Sequence, residues 1–490
     1  MEKYQLTIGL EIHAELATKT KMFCDSLNDP NEHHPNINIC PVCMGHPGTL
    51  PVINRQAVES VLRVGMALGG NIPEYSQFDR KNYFYPDMPK GYQISQYKHP
   101  LVAGGELLLP GLDKKIRITR VHLEEDTGRL VHEGNDSLVD FNRAGVPLME
   151  LVTEPDISSA EEARAFAEEL QLLLRYLDVS EADMEKGEMR VEANISVARP
   201  GEERGTKVEV KNLNSFRAVE RAIAYEYKRQ IKALSEGQKI VQETRGWDEG
   251  KQHTFSQRKK ESAHDYRYFP EPDLPSLDLT DKKYFDLASL RASLPELPWQ
   301  KRDRFAREYG VSGDAAQMMV GDKAMANFFE SSVSEIAEWV KDSGKISRED
   351  LIKSAVNYMT SDLRALIKET EGSFGDTRVT PENFAELIKM VALGEVSSRG
   401  AKEILAEMFS GGGDPSDILE SKGLKQMGDE AELIDMAQKI ILDNPGAVGD
   451  FKAGKSAALQ FLVGHMMKET KGAANPQVAA QVLKNAIDKM

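Results

Sequence analysis

Residues 6–16 alternate without a fault. Ile8, Leu10, Ile12, Ala14 and Leu16 fall on one side, and Gly9, Glu11, His13 and Glu15 on the other. Period two is the signature of a half-buried strand, and it fixes which side chains can share a face. The pattern returns in Arg190–Val197, where Arg190, Glu192, Asn194 and Ser196 oppose apolar neighbours. It returns again in Lys207–Lys211, where Lys207, Glu209 and Lys211 oppose two valines. Within Ile116–Asp126, His122 and Glu124 share a face with Glu125 and Asp126 adjoining, and Glu150 lies in the apolar run Pro147–Val152. If these strands form one sheet, its polar face gathers at least five carboxylates, two imidazoles and several cations. Such a face is repulsive unless hard divalent cations neutralise it. The chemistry that fits is phosphoryl transfer from a nucleotide, with Lys or Arg steadying the transferred group. Several unrelated solvated strand faces would give the same pattern.

Runs of strands with few helices predict an antiparallel α+β domain in the first ~290 residues. Helices are expected over Ala160–Leu177, led by a Ser-Ser-x-Glu-Glu capping pattern, and over Phe216–Leu234, closed by Gly237. The Pro-rich stretch Leu294–Pro298 reads as a boundary, after which only helical periodicity remains. Ser410–Gly413 reads as a flexible connector, which gives domains at 1–293, 294–405 and 406–490. No apolar run approaches the ~18 residues of a membrane span, and no signal peptide is expected before the first strand. Only three cysteines and a net charge of −16 point to a reducing cytoplasm and exclude a globally basic nucleic-acid binder.

All three cysteines, Cys24, Cys40 and Cys43, lie within twenty residues. The Cys40-Pro-Val-Cys43 knuckle has zinc-ligand spacing, but a closed zinc site takes four ligands. The fourth stays open among His33, His34 and His46, with an empty site the alternative. His13-Ala-Glu15 followed by a Cys-x-x-Cys imitates the order of zinc deaminases, yet here the histidine belongs to a strand face. Gly449–Ser456 matches the phosphate-loop expression, although a helical segment ending at Asn444-Pro445 precedes it instead of a strand. From Asp450 onward six lysines face three acids, a local excess suited to a phosphate backbone or to a solvated helix face. Phe78–Tyr97 interleaves Arg80, Lys81 and Lys90 with Tyr83, Phe84, Tyr85, Tyr92 and Tyr97, which suits base stacking, a pocket mouth or a loop of buried tyrosines.

Several motifs are specific in combination: Ile8-Gly-Leu-Glu-Ile-His13, Phe78–Asp87, His122-Leu-Glu-Glu-Asp-Thr-Gly128, Asp140–Pro147, Glu192-Ala-Asn-Ile-Ser196, Lys211-Asn-Leu-Asn-Ser215 and His264–Pro272. Together they resemble the B-subunit family of aspartyl/glutamyl-tRNA amidotransferases, over the whole chain. The resemblance implies a cradle domain similar to glutamine synthetase, a helical domain and a helical YqeY-like tail. It implies use of ATP and Mg²⁺ to phosphorylate the side-chain carboxylate of Glu or Asp misacylated on tRNA. It also implies amidation by ammonia from an amidase A subunit, in a heterotrimer with a small C subunit. On that reading Glu11, His13, Glu124, Glu125, Glu192 and Glu209 are catalytic, and Arg190, Asn194, Lys211 and Asn212 bind the nucleotide. Glu11, His13, Glu125 and Glu150 hold Mg²⁺, and Cys24, Cys40 and Cys43 are zinc candidates. Lys81 and Lys90 belong to the ammonia path or the interface with the amidase, and Lys452, Lys455, Lys468 and Lys471 to tRNA binding. One departure is visible: where many family members carry Cys-x-Cys, this chain has Cys24-Asp-Ser26. A noncatalytic tRNA-binding scaffold is the competing function.

Overall fold

A computed structural model describes residues 4–259, 266–343, 346–426, 430–470, 474 and 476–489. The chain divides into two compact units, Met1–Trp299 and Gln300–Met490.

The first unit is built on a nine-stranded sheet. Its strands are β1 (Gln5–Glu15), β2 (Val102–Ala103), β3 (Glu106–Leu109), β4 (Lys114–Glu125), β5 (Pro147–Thr153), β6 (Met189–Ala198), β7 (Val208–Leu213), β8 (Glu243–Asp248) and β9 (His253–Lys259). The order is β9-β8-β7-β6-β1-β5-β4-β2, with β3 also paired to β4. Pairing is antiparallel throughout except between β7 and β8, which run parallel. The alternation of β1 and β6 dictates a two-faced sheet. Ile8, Leu10, Ile12, Val191, Ala193 and Ile195 are almost fully buried in one core with residues of helices α2 (Ala160–Tyr176) and α3 (Phe216–Ser235). Among their partners are Phe166, Leu170, Leu173, Val219 and Ile223. Burying each large apolar side chain is worth roughly 1.5–3 kcal/mol, which fixes the register and leaves the polar face for chemistry.

Both helices start at serine caps. Ser159 accepts from Glu162 N at 3.1 Å, and the Glu162 carboxylate accepts in turn from Ser158 N at 2.7 Å. Ser215 accepts from Ala218 N at 3.0 Å. The aromatic-basic segment folds into a small sheet of Asp79–Asn82, Tyr92–Ser95 and Phe269–Pro270. Arg80 lies over the Tyr92 ring at 4.2 Å and is held by Glu271 at 2.7 and 2.8 Å. Tyr97 stacks on Tyr268. Phe78 is buried and Tyr83 and Tyr92 are half-buried, while Phe84, Tyr85 and Tyr97 stay exposed.

In the second unit the described elements are all helical. The stretch read as a flexible connector is a turn: Gly412 and Gly413 adopt φ of +72° and +109° between helices Ser398–Gly411 and Pro415–Lys422. Arg378 and Asn383 donate to the Ser410 and Gly413 carbonyls at 2.8 Å each, so side chains tie the turn down. Residue 405 lies inside the first of these helices, where Leu405 and Met408 are fully buried. The last helices share a core of Leu433, Ala437, Ile440, Leu462, Met466 and Leu483. The phosphate-loop match falls in this helical region: Gly449 sits within helix Pro445–Lys452, and Lys455 pairs with Asp450 at 2.9 Å. No strand leads into it, so it lacks the geometry of a phosphate loop. Among the described residues no helix is long and apolar enough to cross a membrane.

Candidate active site

The register of the central strands assembles the polar face row by row. Across β4, β5, β1 and β6, His122 lies beside Glu150, Glu150 beside His13, and His13 beside Arg190. Two residues along β1, Glu11 lies beside Glu192, and Asn194 pairs with Glu209 of β7. The side chains converge accordingly. His13 Nε2 is 3.4 Å from Glu150, 3.7 Å from Glu124 and 4.0 Å from Glu11. His122 Nε2 is 3.4 Å from Glu150 and 3.9 Å from Glu124. Lys211 reaches Glu192 at 2.7 Å and Glu209 at 4.0 Å. Three groups of ligand atoms are each clustered within 4.8 Å: Glu11–His13–Glu150, His122–Glu124–Glu150 and Glu11–Glu192–Glu209.

The electrostatics follow from burying so many acids together. Burial, with Glu150 and Glu192 nearby, pushes Glu11 up to about 7. Burial alone would lower His13, but the hydrogen bond and charge of Glu150, with Glu124 and Glu11, raise it to about 9. His122 is raised against the same burial penalty, chiefly by Glu150. In return, against its own burial, Glu150 is held well below the usual carboxylate range by the two imidazoles. Glu124 is lowered despite burial, first by Lys81 and then by His122. Lys211 is raised against burial by Glu192 and Glu209. One oxygen of buried Glu124 and the side-chain oxygen of Asn194 lack a hydrogen-bond partner, as expected of groups aimed at a ligand.

A second charged group flanks the face. Arg190 donates to Asp126 at 2.9 Å, with Arg143 at 3.6 Å. Burial opposes ionisation of Asp126, yet the two guanidiniums hold it at about 2. Burial and Asp126 push Glu15 up to about 8. Lys81 is raised, because Glu124, Tyr268 and Glu150 outweigh its burial, and its ammonium lies 5.3 Å from the Tyr266 ring centre.

Two residues named from the motifs stand apart from the cluster. Glu125, one residue beyond Glu124, shares strand parity with buried Val121 and Leu123; its carboxylate accepts from Lys90 at 2.6 Å and from Ile94 N at 2.9 Å. Asn212 is exposed at φ +65°, where the β6–β7 register shifts. Lys452, Lys455 and Lys468 are exposed in the second unit; Lys471, like residues 264 and 265 of the last motif, lies outside the described residues.

The donor set fits Mg²⁺: carboxylates dominate, and one oxygen of buried Glu124 has no hydrogen-bond partner. The cysteines are a different case. Their three sulfurs also cluster within 4.8 Å, but none of the nearby histidines joins them among the described residues. At the fourth thiol's position Ser26 makes a 3.8 Å contact with Cys43, and the buried Lys21 ammonium stands 3.9 Å from the same sulfur. This set does not fit a closed four-ligand zinc site.

Comparison with known proteins agrees with the geometry. Residues 6–284 match the family model described as the GatB/GatE catalytic domain, and residues 342–487 one described as the GatB domain. The B subunit of the aspartyl/glutamyl-tRNA(Asn/Gln) amidotransferase of Thermoanaerobacter pseudethanolicus is 48% identical over 99% of this chain and all of its own. The proteins of that name from Thermomicrobium roseum and Thermotoga maritima are 47% and 46% identical, over 99% of both chains in each case. The chain belongs to the B-subunit family of aspartyl/glutamyl-tRNA(Asn/Gln) amidotransferases. Its members are components of a ligase-type amidotransferase. Within this family member, the motif reading named Glu124 and Glu150 but gave no role to His122, which joins them in one of the three groups. Strand parity does put His122 on that face. Of the Asp126–Arg190–Arg143 group, parity puts Arg190 on the face, whereas Arg143 comes from a loop and left no such signal.

Proposed function

We propose that this chain phosphorylates the side-chain carboxylate of Glu or Asp misacylated on tRNA, using ATP, and that ammonia then replaces the phosphate. The observation that supports this best is the set of three adjoining ligand groups, linked through Glu11 and Glu150, on one sheet face. Glu11, His13, Glu124, Glu150, Glu192 and Glu209 would hold Mg²⁺, which when bound supplies charge neutralisation on phosphate oxygens. The chain's own cations are pre-positioned for the same task. Asp126 fixes the Arg190 guanidinium and Glu192 fixes the Lys211 ammonium, so each can meet a phosphoryl oxygen with little reorganisation. The substrate carboxylate attacks the γ-phosphorus and ADP leaves; ammonia then attacks the acyl carbon and phosphate departs with one former carboxylate oxygen.

The finer assignments belong to the same reading. The cradle is similar in fold to glutamine synthetase, and an amidase A subunit supplies ammonia in a heterotrimer with a small C subunit. Lys81, between Glu124 and the tyrosines, and Lys90, paired with Glu125, line the ammonia path. A tail over 406–490, separate from a helical part over 294–405, grips tRNA through Lys452, Lys455 and Lys468. The complex works in the cytoplasm. The test is amidation of Glu-tRNA(Gln) and Asp-tRNA(Asn) by the assembled complex with Glu11→Gln or His13→Ala. Loss of ATP-dependent amidation with surviving glutamine hydrolysis supports the reading. Full amidation by both variants would leave the chain a tRNA-binding scaffold.

A further inference from the structure

The ammonium of Lys21 is completely buried, and a buried cation needs a counter-charge. It donates to the Phe141 carbonyl at 3.2 Å and approaches Cys43 Sγ at 3.9 Å. Among the described residues no carboxylate pairs with it. Among the described residues its hydrogen-bond neighbour able to balance it is the Cys43 sulfur, with Cys24, Cys40 and Asp140 adding to the field around it. Four groups able to donate face that sulfur, Cys40 N at 3.1 Å, the Ser26 hydroxyl at 3.8 Å, Lys21 itself and the Cys24 thiol, and the Cys40 carbonyl oxygen lies 3.4 Å from it. One thiolate against one ammonium makes the cluster electrically neutral without any metal, in keeping with its missing fourth ligand. Cys40 Sγ lies only 3.8 Å from Cys43 Sγ.

The knuckle also touches the site. Gly45 lies so close to Lys90 that an added Cβ would stand 2.7 Å from Lys90 Cγ and 3.2 Å from its backbone nitrogen. Gly145, at φ +84°, packs between the Cys43 and Lys21 side chains, and its Cβ would stand 4.0 Å from a Glu125 oxygen. Any movement of the Cys40–Cys43 turn therefore bears on the Lys90–Glu125 pair.

We infer that Cys40 and Cys43 are a metal-free redox pair, with Lys21 as the counter-ion of Cys43, and that its oxidation by a peroxide disturbs the Lys90–Glu125 pair. The Cys43 sulfur attacks one peroxide oxygen, the O–O bond breaks and hydroxide leaves. The Cys40 thiol then attacks the resulting sulfenic sulfur, expelling a second hydroxide that departs as water with the thiol proton. Two thiols lose two electrons, the peroxide becomes two waters, and a dithiol reverses the change. The effect on ammonia delivery rests on the ammonia path proposed above; the thiol chemistry does not.

Full-length protein, purified reduced and assayed for zinc, is treated with stoichiometric hydrogen peroxide. The expected result is negligible zinc, a fall from three titratable thiols to one, a Cys40–Cys43 disulfide in peptide maps, and recovery with dithiothreitol. Cys43→Ser abolishes the reaction and Cys24→Ser retains it. Lys21→Met slows it at least ~10-fold, and Lys21→Arg restores it. One chelation-resistant zinc per chain with unreactive thiols overturns the inference, as does a Lys21→Met variant that reacts at the native rate. If Lys21→Met does not fold, the zinc content and the Cys43→Ser comparison decide. In the assembled complex, oxidation should depress glutamine-driven amidation several-fold and spare amidation driven by added ammonium. Equal loss of both would overturn the link to Lys90 while leaving the disulfide standing.

Discussion

Replacing Glu150 by glutamine keeps the side chain's shape and removes the charge that both imidazoles share. In the native protein Glu150 lies 3.4 Å from His13 and 3.4 Å from His122. The rise of His13 from 6.5 to about 9 corresponds to roughly 3 kcal/mol, at ~1.4 kcal/mol per pH unit. Glu150 contributes the largest share, while Glu124 and Glu11 keep the rest. Against this, the substitution relieves repulsion on Glu11, which Glu150 helps to raise. With one gain set against two losses, the net cost is about 1–2 kcal/mol. The sign is set by the histidine: its folded value lies above its unfolded one, so the stabilisation is fully present below pH 6.5 and is lost as pH rises through about 9. Thermal unfolding of the chelator-treated protein should therefore show a Tm gap of roughly 2–3 °C at mildly acidic pH that closes in alkaline buffer. A gap unchanged across that range, or a glutamine variant that is more stable in acid, would refute the proton bookkeeping.

Asp126→Asn leaves two guanidiniums facing a neutral amide and should cost about 3–5 kcal/mol in chemical denaturation. Because Asp126 is depressed from 3.8 to about 2, roughly 2–3 kcal/mol of that difference should be present above pH 3.8 and be lost as pH falls through about 2. Ser159→Ala removes the cap of α2 and should lower stability by about 1 kcal/mol in the same assay. Changing Lys452, Lys455 and Lys468 together to alanine should weaken tRNA binding and flatten its salt dependence by about 0.9 per lysine, with phosphate release at saturating tRNA unchanged.

The sheet was legible because one of its faces is buried. In β1 and β6 the same alternation that sends Ile12 and Val191 into the core sends Glu11, His13 and Glu192 to the other side. Register then brings them together, although no spacing in the chain announces it. What was illegible depends on contacts between distant segments. Glu124 and Glu125 look equivalent in a motif, yet consecutive strand residues face opposite ways, and Lys90 with Ile94 N claims the second. The parallel pairing of β7 with β8 departs from the all-antiparallel expectation because β8 returns after the long helix α3. The glycines at 411–413 promise freedom, but Arg378 and Asn383 fix the turn from outside it. Lys21 is a single lysine in a short loop, and its burial against Cys43 depends on the knuckle twenty residues away and on Phe141.

Whether the substrate carboxylate is phosphorylated can be read from its oxygens. Glutamyl-tRNA(Gln) carrying oxygen-18 in both side-chain carboxylate positions is amidated by the assembled complex with unlabelled ATP, and the released phosphate is examined by mass spectrometry. Transfer through an acyl phosphate predicts one labelled oxygen in each phosphate formed and one retained in the glutamine amide. Unlabelled phosphate, with both labelled oxygens accounted for outside it, would contradict carboxylate activation on the β1–β6 face.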